Sequence, residues 1–350
     1  MIAAQETLLR QLGVVIARLS NPRVHLARRD RFLEVAMSPS AALASEVFRS
    51  FALLTTGLLV VGGAIIGVVR LRHKKSVSHA WDSYRGWLVM VPIIGVSLFA
   101  GRAVAICFFA IISIVAFTEY ARATGLHRDL AMTFTGLAGI VGIAAVALAR
   151  DPATGEPGWY GIFMTAPVFV SAALVLVSVL RNRPEGQLKA LALALFGFLY
   201  IGWMFGHVAF LANTRNAYGY LLYLLFAVEL NDVAAFTCGK LFGRRPLCAN
   251  VSPWKTREGA LGAVVISALF PLAVRFALPD FSTLECVVAG LIIGVGGHLG
   301  DLSISVIKRD IGVKDMGTLI RGHGGVLDRI DSLLYSAPLF FHFARYAHGM

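Results

Sequence analysis

The chain has 350 residues, of which 57% are hydrophobic and only 15% charged. Soluble domains carry about 25% charged residues, so the composition excludes a large soluble core and points to a membrane protein. The net charge of +12 reads as cytoplasmic loop charge facing anionic headgroups; nucleic-acid binding is the poorer reading, because no basic stretch interleaves with exposed aromatics.

Residues 1–49 form a basic extension with Arg10, Arg18, Arg23, Arg28, Arg29, Arg31 and Arg49. It lacks the compact basic, apolar and small-residue order of a signal peptide. An amphipathic surface segment is one reading of it and a misplaced first span is the other. A spanning helix needs about 20 mainly apolar residues. Runs of that kind occur at Phe51–Val69, Gly86–Gly101, Ala103–Thr118, Leu130–Ala149, Trp159–Leu180, Ala190–Ala212, Ala217–Gly239, Gly259–Leu278 and Glu285–Ile307, with a shorter one at Asp331–Ala347. The expected fold is therefore an all-α, polytopic transmembrane bundle of nine or ten spans. Arg102 alone breaks the second run from the third, which predicts a tight hairpin there. Residues 50–225 read as an N-terminal bundle and residues 226–350 as a second transmembrane region that holds the polar chemistry.

Three loops between spans are basic: Arg70, Arg72, Lys74, Lys75 and Arg85 in one; Lys240, Arg244, Arg245, Lys255 and Arg257 in another; Lys308, Arg309, Lys314 and Arg321 in a third. The loop around Pro279–Asp280 has no Lys or Arg. The positive-inside rule then puts the three basic loops in the cytoplasm and, by counting, the N-terminus outside. Cys107, Cys238, Cys248 and Cys286 form no CxxC and read as small hydrophobes, neither a disulfide framework nor a metal site.

Polar residues gather in three clusters. The first is Glu229, Asn231 and Asp232 inside an apolar run. An ionised carboxylate at membrane depth is costly unless paired, hydrated or metal-bound, and carboxylates at i and i+3 share a helix face. A metal or substrate site open to water is one reading, and a helix–helix hydrogen-bond pair is the simpler alternative. The second runs from Gly239-Lys240 through Arg244-Arg245 to Ser252-Pro253-Trp254-Lys255-Thr256-Arg257-Glu258-Gly259. Its cationic heads, hydroxyls and glycines suit a polyanion such as a triphosphate, and Lys255-Thr256 stand just before a helix whose N–H groups can face an anion. An ordinary positive-inside loop accounts for the arginines alone.

The third cluster is the densest. It holds Ser305, Lys308, Arg309, Lys314, Asp315, Gly322-His323-Gly324-Gly325, Asp328, Arg329 and Asp331, with Asp301 about one turn before Ser305. Asp328 and Asp331, at i and i+3, can face one Mg²⁺, which takes carboxylate, phosphate and water oxygens. Lys308, Arg309, Lys314 and Arg329 can neutralise phosphates, and the glycine turn lets backbone approach a ligand. Such a set serves Mg²⁺-dependent phosphoryl or nucleotidyl transfer.

At these residues the sequence resembles the phosphatidate cytidylyltransferase family. The signature of that family, S-x-hydrophobic-K-R, four residues, K-D, a small residue, P-G-H-G-G and D-R-x-D, is matched with every spacing kept by Ser305, Ile307, Lys308, Arg309, Lys314, Asp315, Gly317, Gly322, His323, Gly324, Gly325, Asp328, Arg329 and Asp331. Asn231-Asp232, Gly239-Lys240-Phe242-Gly243 and Ser252-Pro253-Lys255-Thr256-Glu258-Gly259 resemble it too, and Glu119-Tyr120-Ala121-Arg122 is a weaker echo. The detailed match covers residues 228–340. Over residues 50–225 it is little more than hydropathy. The departure is Arg321 where the family has proline; arginine frees the turn and adds a charge. With the long basic extension, this suggests a specialised branch.

The resemblance implies transfer of CMP from CTP to phosphatidate, giving CDP-diacylglycerol and pyrophosphate, in a bacterial cell membrane with the site facing the cytoplasm. It implies Mg²⁺ on Asp328 and Asp331, with Asp232 and Asp301 behind them. It implies Lys314, Asp315, His323 and Arg329 beside them in the chemistry. His323 would position a phosphate or protonate the leaving group, with a hydrogen-bonded turn histidine as the alternative. Substrate contacts fall to Lys240, Ser252, Lys255, Thr256, Glu258, Ser305, Lys308, Arg309, Arg321, Gly324 and Gly325. The partners expected are CTP, a lipid phosphate, the bilayer and, as an admissible assembly, a second copy of the chain. His207 and His298, isolated in apolar runs, read as helix-packing groups. Two rivals stand beside this reading: a cytidylyltransferase or CTP-dependent polyprenol or phytol kinase acting on another lipid, and a transporter supported only by the span number and the intramembrane Glu229 and Asp232.

Overall fold

The computed structural model describes residues 37–73, 78–318 and 324–349. The basic segment up to Arg31, the loop lysines Lys74 and Lys75, and Arg321, Gly322 and His323 lie outside the described residues.

Each apolar run becomes a helix. A short α1 (Pro39–Ala44), capped by Ser38 Oγ accepting from Ala41 N–H at 3.2 Å, leads into α2 (Glu46–His73), α3 (Ser78–Phe99) and α4 (Arg102–Thr124). The expected hairpin at Arg102 is present: Gly101 has φ +111°, and a Cβ there would meet the Met37 carbonyl at 2.8 Å. Then come α5 (Leu130–Leu148) and α6 (Tyr160–Arg181). α7 (Gln187–Gly197) widens into a π-helical segment, Phe198–Met204, and continues as α8 (Phe205–Leu211). Ser113 Oγ donates to the Ile201 carbonyl inside that segment at 3.0 Å. The last third contains α9 (Ala217–Phe242), α10 (Arg257–Ala273), α11 (Thr283–Asp310) and α12 (Leu327–His348). The bundle is all-α as expected, and the loop between α9 and α10 adds one small local feature to it. It is an antiparallel hairpin of β1 (Pro246–Cys248) and β2 (Ser252–Thr256), with Pro246 opposite Thr256 and Cys248 opposite Ser252.

Among the described residues seven helices are long and apolar enough to cross a membrane: Glu46–Arg70, Arg102–Thr124, Leu130–Leu148, Tyr160–Arg181, Gln187–Leu211, Ala217–Phe242 and Thr283–Asp310. The chain is thus a multi-pass membrane protein. Three of the ten runs fall short of that set. α10 has 17 residues, the apolar part of α3 is only Tyr84–Phe99, and α12 carries Asp328, Arg329 and Asp331 in its first turns. All four cysteines are free.

Hydrogen bonds mark the two ends of the bundle. At one end Arg102 donates to Asn213 Oδ1 and to the last carbonyls of α5, Asn216 Nδ2 donates to Ala277 O, Tyr218 donates to Ser38 O, and His348 lies 3.7 Å from Glu285. At the other end Arg181 clasps Asp129, the N-cap of α5, with bonds of 2.6 and 2.5 Å. The end of α9, the hairpin, the start of α10, the end of α11 and the start of α12 also meet at this second end.

α11 is the thin centre of the last third. A Cβ on Gly290 would collide with the Ser267 carbonyl and sit 2.6 Å from Ala268 Cα on α10; one on Gly294 would sit 2.9 Å from Val264 Cα. On another side, a Cβ on Gly296 would be 3.2 Å from Ser336 Cα, and one on Gly300 would collide with the Asp331 carbonyl on α12. A Cβ on Gly297 would sit 2.7 Å from Asn231 Nδ2 on α9. Without an apolar driving force between helices in lipid, such small-residue faces allow the close backbone contact that holds them together.

Gly290→Ala therefore forces α10 from α11. The expected cost is about 1–3 kcal/mol, read as a lower thermal midpoint in detergent. Gly95→Ala is the control: nothing lies within 4 Å of its Cβ position, and its midpoint should not fall.

Candidate active site

The polar end of the last four helices holds nearly every residue singled out in the sequence. Asp232 comes from α9, Asp301 from α11 and Asp331 from α12, and the glycine contacts of α11 bring the three within range of one another's charge. Asp331 is 8% exposed, and one of its oxygens accepts from Ser332 N–H at 2.8 Å. Ser332 Oγ in turn donates to Asp232, at 3.2 Å to Oδ2. Asp301 accepts from Ser305 Oγ at 3.2 Å, one helical turn on, and forms a close ion pair with Lys255. Asn231 is fully buried, and its Oδ1 accepts from Ser267 Oγ at 3.1 Å.

A second lysine–aspartate pair stands in the signature itself. Lys308 Nζ donates to Asp328 Oδ1 at 2.9 Å. The other oxygen of Asp328 accepts from Met316 N–H at 2.9 Å and Gly325 N–H at 3.0 Å. So Asp328 and Asp331, at i and i+3, keep different hydrogen-bond partners. Asp328 ties the signature loop to Lys308, whereas Asp331 joins Asp232 and Asp301. Gly324 has φ +81°, and a Cβ there would sit 3.1 Å from Asp328 Oδ2 and 3.4 Å from Asp315 Oδ1. Lys314 and Asp315 are exposed beside it, and exposed Arg329 acts electrostatically on Glu229 and Asp232. Arg321 and His323 lie outside the described residues.

Several expected substrate contacts also build the scaffold. Thr256 Oγ1 caps α10 by accepting from Gly259 N–H at 3.1 Å. Close contacts between Gly239, Gly243 and Gly259 surround it. Glu258 Oε2 accepts from the Arg244 and Arg245 amides at 3.0 and 3.2 Å, which fastens the hairpin to α10. Arg309 Nε donates to Val251 O at 3.1 Å, which fastens the same hairpin to α11. Ser252 opens β2, and Lys240 lies 5.7 Å from the Phe236 ring. His298 and His207 are buried packing groups, His298 bonded to Ala260 O and His207 to Trp203 O. Sequence reasoning missed Ser332 and Ser267 as partners, since a serine beside a motif carries no signal of its own. It also missed the reach of Glu119, on α4, to Leu327 N–H at 2.9 Å.

The arrangement gathers two lysine–aspartate pairs and two further carboxylates, Asp232 and Asp331, at one end of the bundle. The cytidylyltransferase family profile matches residues 83–347. The chain belongs to the cytidylyltransferase family. Family membership makes it a nucleotidyltransferase of lipid metabolism. Its relatives include an uncharacterised protein, YnbB, of Escherichia coli (strain K12), 35% identical over 271 residues, which are 75% of this chain and 86% of that protein. The phosphatidate cytidylyltransferase of Staphylococcus aureus (strain COL) is 30% identical over 254 residues, 72% of this chain and 92% of the relative. That of Staphylococcus haemolyticus (strain JCSC1435) is 28% identical over 253 residues, with the same two shares.

The Glu258 carboxyl is held below its ordinary value, first by the Arg244 N–H and also by the Arg245 N–H. Its contribution to hairpin order is then fully present above the ordinary glutamate pKa of about 4.3 and lost as pH falls through the lower folded value. Amide-exchange protection at Arg244 and Arg245, corrected for intrinsic rates, should drop below about pH 4. In Glu258→Gln that drop should vanish.

Proposed function

We propose that this enzyme transfers CMP from CTP to phosphatidate, giving CDP-diacylglycerol and pyrophosphate, at the cytoplasmic face of a bacterial cell membrane. The observation that carries the reading is the pair of lysine–aspartate contacts, Lys255–Asp301 and Lys308–Asp328, flanking Asp232 and Asp331 at the end of the bundle where the signature begins and ends. Lys240, Arg244, Arg245, Lys255, Arg257, Lys308, Arg309 and Lys314 fall at that end, which supports the cytoplasmic side. The alternating end contacts support ten passes, with α3, α10 and α12 crossing beside the seven longer spans.

A lipid phosphate oxygen attacks the α-phosphorus of CTP. The bond from that phosphorus to the bridging oxygen breaks, and pyrophosphate leaves with the electron pair. The attacking phosphate is already anionic, so no strong general base is needed. The difficulty is bringing two anions together. Lys255 and Lys308 each have ammonium donors beyond the one given to aspartate, and these can take phosphate oxygens. Arg329 and Lys314 add positive charge at the rim.

The donor set fits Mg²⁺. Among the described residues no three His, Cys, Asp or Glu side chains are close enough to hold a metal ion alone. Mg²⁺ is usually held by one or two carboxylates together with substrate phosphates and water, and Asp232, Asp301 and Asp331 supply an excess of neighbouring carboxylate for that. When bound, the ion would offset charge on the transferring and leaving phosphates. Asp301 and Asp331 would hold it, with Asp232 behind them, while Asp328 keeps the loop in place.

The test is purified protein with labelled CTP, Mg²⁺ and a panel of lipid phosphates and lipid alcohols, run for wild type and Arg321→Pro. CDP-lipid and pyrophosphate in equal amounts is the expected result. CDP with a phosphorylated alcohol would establish the kinase reading instead. Asp301→Asn and Asp331→Asn should each lower kcat by about 100-fold or more, and unchanged turnover in both would remove the basis of the assignment.

A further inference from the structure

Glu119 belongs to α4, in the N-terminal bundle, yet its carboxylate is buried against the signature segment 208 positions further on. It is 8% exposed. Three observations converge on it. First, α12 starts without a cap of its own: Val326 stands at the N-cap position and makes no side-chain cap bond. The first amides of a helix lack partners within it, and Glu119 Oε2 accepts the Leu327 amide at 2.9 Å. A carboxylate there also suits the positive end of the helix dipole. Second, two signature glycines pack on the same carboxylate. A Cβ on Gly317 would collide with Glu119 Oε1, and one on Gly325 would sit 2.6 Å from Oε2. Third, Oε1 is itself buried and has no hydrogen-bond partner among the described residues.

We propose that Glu119 is a positioning residue for the transfer reaction. Its carboxylate sets where Gly317 and Gly325 lie and where α12 begins. Through them it sets Asp328, whose Oδ2 accepts the Met316 and Gly325 amides and whose Oδ1 holds Lys308. The small residues at 317 and 325 are then required by a side chain of another helix, not by turn geometry. The inference rests on the reading that the signature segment carries turnover. It adds that the N-terminal bundle is part of the catalytic apparatus through one carboxylate.

The experiment compares full-length wild type, Glu119→Gln, Glu119→Asp, Gly317→Ala and the double variant Glu119→Asp/Gly317→Ala. Misplacement of a catalytic element by about 1 Å can cost ~100-fold in rate. Glu119→Gln should lose at least ~10-fold in kcat, with KM for CTP within about threefold. Glu119→Asp should keep part of the rate. Gly317→Ala should lose activity, and shortening Glu119 in the double variant should restore it above the Gly317→Ala level. Amide exchange across Gly325–Ile330 should quicken in Glu119→Gln while the thermal midpoint of the whole protein is kept. A kcat for Glu119→Gln within twofold of wild type overturns the proposal. So does a double variant no better than Gly317→Ala. If wild type turns over no lipid phosphate, the functional reading fails by itself, and the exchange measurement still decides the clamp: unchanged exchange at Leu327 overturns it.

Discussion

The close approach of α11 to its neighbours is the constraint on which the rest of the polar end depends. A charge at membrane depth is tolerated only beside a partner or water, and side-chain reach limits how far that partner can be. Asp301 can meet Lys255, and lie within range of Asp331 and Asp232, only because Gly290, Gly294, Gly297 and Gly300 let three helices contact the α11 backbone. Larger side chains at those glycines would spread the helices, and the three carboxylates would separate with them. The packing of an apolar bundle and the electrostatics of its polar end are therefore one problem. The glycines solve it on the packing side and the lysines on the charge side.

The same economy recurs in the β1–β2 hairpin. Its strands are too short to be stable alone, so it is fastened at three points: Thr256 at the start of α10, Glu258 beneath the Arg244 and Arg245 amides, and Arg309 from the end of α11. These fastenings fix the backbone from which Lys255 projects to Asp301. A polar residue in this segment can thus matter to the chemistry without touching a substrate, simply because Lys255 would otherwise sit on a loose loop. Thr256, Glu258 and Arg309 act on geometry first.

The helices were legible in the sequence because lipid imposes a simple rule: about 20 apolar residues per crossing. All ten apolar runs became helical. The residues of the polar end were legible for a different reason. Asp232, Asp301, Lys255 and Asp331 stand in or beside apolar stretches, where any charge requires an explanation. Spacing alone did not show which partner each carboxylate keeps. Asp328 and Asp331 are one turn apart, but the α12 terminus turns Asp328 toward the Met316 and Gly325 amides and leaves Asp331 to the carboxylate group. Contacts between distant segments had no local signal. Ser332 with Asp232, Ser267 with Asn231 and Glu119 with Leu327 join residues 36 to 208 positions apart, and nothing in periodicity or composition marks such partners. The hairpin was missed because its strands hold only three and five residues, too few for an alternating pattern to show.

The pairing of both lysines has a consequence for the proposed reaction. Neither Lys255 nor Lys308 waits as a bare cation; each already holds an aspartate. A phosphate that approaches competes with a carboxylate for the same ammonium, so the net gain is smaller than a lone lysine would give. In return, neither of these lysines and neither of their aspartates stands as an unpaired charge at membrane depth, where such a charge is most costly. The two pairs are also unequal. Lys255 and Asp301 are each about a quarter exposed, whereas Asp328 is 6% exposed and further held by two backbone amides. The first pair can therefore exchange partners at lower cost than the second. Substrate binding should loosen Lys255 from Asp301, leaving that carboxylate to a cation, while Lys308 and Asp328 remain joined as the frame on which the signature loop is held.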